Sequence, residues 1–114
     1  MKKFYDSIGG SYEEIMRRIP SEAILKNFLL KFPSDPSYDS LMQAKADNDI
    51  EAAFIAAHTL KGVAANLGLK VLAETASRLT EKLRPKQEFP TDDYFQAVET
   101  AYNTVMAQIK DIDA

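Results

Sequence analysis

The 114-residue chain has a single histidine, His58, in the run Ala57-His58-Thr59-Leu60-Lys61-Gly62. A lysine follows it three residues on and a glycine four. On a helix these offsets put all three on adjacent turns of one surface patch. Imidazole is the common side chain best suited to act as a nucleophile near neutral pH. A cation one turn away can stabilise the charge of an incoming phosphoryl group, and a missing side chain beside it leaves room for a partner. A mid-helix glycine costs about 1 kcal/mol relative to alanine, so Gly62 points to a steric purpose. Packing of its backbone against a neighbouring helix is the alternative.

The helix that must carry this patch starts near Asn48 or Asp49 and runs to about Leu67, about 18 residues and about 27 Å. Ile50, Ala53, Phe54, Ala57, Leu60, Ala64 and Leu67 fall on one face at helical spacing. His58 then stands about a quarter-turn from the centre of that face, at about 100° per residue. Lys61 lies nearer the apolar stripe, its stem able to run along it and its head to reach out. Gly62 and Ala65 flank His58 on the outer side. Gly68, after Asn66-Leu67, suits a left-handed helix cap.

Every other periodic segment also reads as helix, and none alternates like a strand. Gly9-Gly10 marks a turn, and Ser11 with Glu14 forms a capping box for a short helix ending near Ile19. Ser21 is the candidate N-cap of a helix with the stripe Ile24, Leu25, Phe28, Leu29 and Phe32, ended by Pro33. Asp35-Pro36 opens a short third helix with Tyr38, Leu41 and Met42 on its apolar side. After Gly68, Leu69, Leu72, Ala76, Leu79 and Leu83 step by three and four until Pro85, while Lys70, Glu74, Arg78, Glu81 and Lys82 face outward. Thr91, with Asp92 and Asp93, starts a last helix. Its seam is Phe95, Val98, Tyr102, Val105, Ile109 and Ile112. The expected fold is all-α: an antiparallel up-and-down four-helix bundle of elements centred near residues 27, 58, 76 and 102. The short helices are N-terminal additions to it.

At this length residues 1–114 form one domain. Zero cysteines exclude disulfides and thiolate chemistry, and with one histidine a structural zinc site is excluded in practice. A net charge of -3 argues against a nucleic-acid partner, which calls for a basic stripe. No window reaches the roughly 18 apolar residues of a membrane span, and the N-terminus lacks a signal-peptide core, so a cytoplasmic protein is expected. Met1 and the helices after it favour a free-standing protein.

The run from His58 through Lys61-Gly62 to Asn66-Leu67-Gly68, followed by Leu72 and Leu79, resembles the signature of histidine-containing phosphotransfer (HPt) domains. Ile8-Gly9-Gly10 before Tyr12 and the pair Arg17-Arg18 resemble small stand-alone bacterial members. The resemblance implies a phosphorelay intermediate that accepts a phosphoryl group from a receiver-domain aspartate and passes it to another receiver. His58 would be the acceptor through Nε2, Lys61 would pair with the phosphoryl oxygens, and Gly62 would keep the approach open. Arg84, about one turn beyond Thr80, is a candidate second cation, its alternative being a plain last-turn cation favoured by the helix dipole. The Mg²⁺ for transfer belongs to the receiver, so the chain needs no cofactor of its own. The implied partners are response-regulator receivers, with a hybrid histidine kinase upstream. Where many members carry glutamate after the second leucine, this chain has Thr80 and then Glu81, so no contact is carried over from that position.

With four glycines and no glycine-rich ATP loop, the chain is not expected to phosphorylate itself from ATP. A helical module that docks receivers or kinases without carrying phosphate predicts the same fold. A hydrolase using His58 as general base lacks an identifiable nucleophile or carboxylate pair. The expected docking ground is the apolar and small-residue surface at Ala65, Leu69 and Phe54.

Overall fold

Short polar side chains set the helix starts. The computed structural model describes residues 1–112, over which the chain forms α1 (Lys2–Ser7), α2 (Tyr12–Arg18), α3 (Glu22–Lys31), α4 (Ser37–Ala46), α5 (Ile50–Asn66), α6 (Lys70–Leu83) and α7 (Asp92–Ile112). A 3-10 turn, Phe32–Ser34, follows α3, and there is no strand among the described residues. The Ser11 hydroxyl accepts from the Glu14 N–H, the Ser21 hydroxyl from Ile24, and the Asp49 carboxylate from Ala52. Caps of this kind contribute about 1 kcal/mol each. Asp35 serves α4 similarly, its Oδ1 accepting from the Ser37 N–H at 2.9 Å. Thr91 precedes α7 as predicted, with its hydroxyl donating to the Asp93 carboxylate.

The helix ends on either side of α5's length are built alike. At the end of α5 the Leu69 N–H donates to Ala64 O at 2.9 Å and Gly68 N–H to Ala65 O at 3.1 Å. At the end of α4, Asp49 N–H donates to Ala44 O and Asn48 N–H to Lys45 O, at 2.9 and 3.1 Å. This double closure needs a left-handed residue, supplied by Gly68 (φ 69°) and Asn48 (φ 56°). The chain therefore reverses within three residues, and α5 packs against α4 on one side and α6 on the other. Helix α6 in turn packs on α7. The circuit closes where Tyr38 of α4 stacks on Tyr102 of α7, ring centroids 3.8 Å apart and 4° from parallel. Lys45 reinforces that closure, 3.3 Å from Asp92 and over the Phe95 ring. Leu41, Leu60, Leu72, Leu79, Leu83 and Val98 are buried at the centre.

Two expectations about the N-terminal half change. The short helix α4, expected as an addition, is a wall of the bundle, whereas α3 lies outside it against α7. A helix laid on the outside of a bundle buries a narrow stripe, here Leu25, Leu29 and Phe32. Ile24 and Phe28, predicted in the same apolar stripe, are left 40% and 46% exposed. Helices α1 and α2 cover the α5–α6 turn. The Tyr5 hydroxyl donates to Leu67 O at 2.7 Å, and the Arg18 guanidinium to Ala65 O at 3.0 Å. A Cβ on Gly10 would come within 2.8 Å of Gly68 O, so the close approach of these two turns demands glycine there.

Candidate functional site

Ala53, Ala57, Leu60 and Ala64 bury one face of α5. His58, one residue round from Ala57, stands exposed at the middle of the helix. Its ring nitrogens make no hydrogen bond within the described residues. Its contact is with Phe54, one turn earlier, whose ring stacks on the imidazole with centroids 6.2 Å apart and planes 12° from parallel. Lys61 is half-buried, as its stem position predicts. It lines a groove of about 300 Å³ between α2, α5 and α6, with Arg18, Ala65 and Glu74 among the walls.

Gly62 is exposed, and a Cβ built there meets no atom within 4 Å. Among the described residues no contact requires glycine at this position, which removes helix packing as its explanation. Of the surface expected for docking, Ala65 is exposed and Phe54 half-buried. Leu69 is not part of it. As the residue that follows the left-handed Gly68, it is turned inward and fully buried.

Arg84 follows α6 and reaches the same ring from the other helix. Its guanidinium donates to the Glu81 carboxylate at 2.7, 3.1 and 3.2 Å, and its Cζ lies 5.2 Å from the Phe54 ring centroid. Lys86 adds a second cation over Phe54, at 4.9 Å, and its Nζ is 3.3 Å from the Glu51 carboxylate. The Arg84 hydrogen bond holds the Glu81 carboxyl below its usual range, and the charges of Arg84, Lys61 and His58 add to this. His58 and Arg84 are thus joined through Phe54, with Glu81 on the arginine, while Lys61 and Gly62 stand on the next turn of α5.

Two contributors to this region, Glu81 and Lys86, escaped the sequence reading. Glu81 was assigned only to an outward face, although its spacing of three from Arg84 is a visible ion-pair signal. Lys86 lies in the aperiodic stretch after Pro85, which gives no register. Ile55, 57% exposed, lines a shallow groove with Pro36, Ser40 and Thr59 on the other side of α5. Its exposure does follow from the helical period, since it lies off the buried face.

The chain matches the Hpt domain family over residues 24–111, and it belongs to that family. Membership places it in phosphorelay signalling, where Hpt domains work with two-component receiver partners. No curated protein and no solved structure shows significant similarity to it. No helix among the described residues is long and apolar enough to cross a membrane. No group of three or more His, Cys, Asp or Glu among them is arranged to hold a metal ion.

Proposed function

We propose that this protein is a histidine phosphotransfer intermediate, taking a phosphoryl group from a receiver aspartate onto His58 and giving it to another receiver. The observation that carries the reading is an exposed, unhydrogen-bonded imidazole between a cation and an open glycine, in a chain of the Hpt family. In the forward step the Nε2 lone pair forms the N–P bond. The P–O bond to the receiver's aspartate breaks, and its electron pair leaves on the carboxylate oxygen. The Nδ1 proton stays on the ring. Lys61 faces the phosphoryl oxygens, and Gly62 admits the receiver's acid pocket with its Mg²⁺. Positioning and charge stabilisation carry most of such a transfer, so the receiver supplies the remaining machinery.

The test is loading from a phosphorylated receiver, read on a phosphate-affinity gel with wild type beside His58→Gln. A shifted, acid-labile band in wild type alone is expected. Binding of receivers without any shift across a broad panel would overturn the proposal in favour of a docking module that carries no phosphate.

A further inference from the structure

The cations that share the Phe54 ring with His58 are held in a pattern that loading would disturb. Glu81 holds Arg84 by a bidentate pair, and Glu51 holds Lys86, so two carboxylates occupy the two cations that share the Phe54 ring with the imidazole. Both side chains of the Arg84–Glu81 pair are more than half exposed, 53% and 57%. Exposed pairs of this kind contribute little, about 0 to 1 kcal/mol. A phosphoryl group brings close to two negative charges and three acceptor oxygens, and the arginine fork matches it as well as it matches a carboxylate. The geometry therefore favours an exchange of partners.

We infer that Glu81 is a latch that holds Arg84 over Phe54 while His58 is empty, and competes with the phosphoryl group for that arginine once His58 is loaded. This rests on the reading of His58 as phosphoryl acceptor. Glu81 and Phe54 are positioning residues here. Phe54 presents one ring to both the imidazole and the guanidinium, which ties the arginine to the neighbourhood of His58 as well as to Glu81. Glu81 sets the cost of freeing the arginine. Loading equilibrium is thereby tuned downward, which suits a carrier that must release its phosphate to a second receiver.

The experiment compares wild type, Glu81→Gln, Arg84→Gln and the double variant. Each is loaded from a phosphorylated receiver and, separately, from phosphoramidate as a small donor. The equilibrium loaded fraction and the lifetime of phosphohistidine are followed by ³¹P NMR. Glu81→Gln is expected to raise the ratio of loaded to empty protein about two- to fivefold and to lengthen the lifetime. Arg84→Gln should lower both, and the gain from Glu81→Gln should vanish in the double variant. Arg84→Lys, which keeps the charge without the fork, should recover only part of the wild-type value. A gain that persists in the double variant would show simple relief of charge repulsion and overturn the latch. No gain in Glu81→Gln would overturn it as well. Absence of loading in wild type by either donor would instead strike at the role of His58 itself, so the two failures are distinguishable.

Discussion

The Tyr5 hydroxyl donates a 2.7 Å hydrogen bond to the carbonyl oxygen of Leu67, 62 residues away in sequence. Tyr5 is fully buried, and Leu67 follows the helix that carries His58. The bond satisfies a carbonyl that the end of α5 leaves without a helical partner. Tyr5→Phe keeps the ring and strands that oxygen, so a loss of about 1–3 kcal/mol is expected. Urea denaturation followed by far-UV circular dichroism would measure it. A midpoint equal to wild type would mean the hydroxyl contributes nothing there.

The same burial makes stability depend on alkaline pH. Desolvation pushes the Tyr5 phenol well above its ordinary value of 10.0, opposed in part by the charge of Arg18. Tyr38 and Tyr102 are also raised, first by burial and then by nearby acidic groups. A group raised in the folded state contributes fully below its unfolded value and loses that contribution as the pH climbs past it. Stability should therefore fall above about pH 10. Tyr5→Phe should flatten the fall, as read from urea midpoints across pH 8–11.

At Gly62 stability and function should separate. Open space around a Cβ means Gly62→Ala is accommodated, and the helix should gain up to about 1 kcal/mol. Gly62→Gln should leave the fold intact while slowing loading by a receiver at least tenfold, because the side chain projects into the partner's path. Thermal melts and transfer rates measured on the same samples decide. Normal transfer by the glutamine variant would refute the steric role.

Lys86 holds a left-handed backbone (φ 56°) without being glycine. Lys86→Gly loses the contacts to Glu51 and Phe54 but removes that strain, whereas Lys86→Ala loses the contacts and keeps it. The glycine variant should therefore be the more stable of the two by about 1 kcal/mol. Paired denaturation curves give the difference directly, and an alanine variant at least as stable as the glycine one would show the strain to be absent.

What could be read from sequence followed the strength of each local signal. Ser11, Ser21, Asp49 and Gly68 announce helix ends through the hydrogen bonds they make, and these are observed where expected. The face of α5 was legible because one helical period sorts Ala53, Ala57, Leu60 and Ala64 inward and leaves His58 outside. Periodicity says which face of a helix is apolar, but not how wide a partner covers it. That is why Ile24 and Phe28 were placed with the core beside Leu25 and Leu29. The choice of α4 over α3 as a bundle wall depends on Tyr38 meeting Tyr102, a contact between distant elements that no local pattern encodes. The Phe54–Arg84–Glu81 arrangement likewise needs two helices in register before it exists.

The unclaimed ring nitrogens of His58 have a kinetic consequence. In many sites a carboxylate or carbonyl fixes one nitrogen's proton and so selects the tautomer. Here nothing among the described residues makes that choice, so both tautomers of the neutral ring are open to it. On the proposed role of His58, only molecules with a bare Nε2 would react, and the apparent rate would be the intrinsic rate scaled by that fraction. A receiver that offers an acceptor to Nδ1 would convert the mixture on contact. Discrimination between receivers could then arise from proton placement as well as from surface fit.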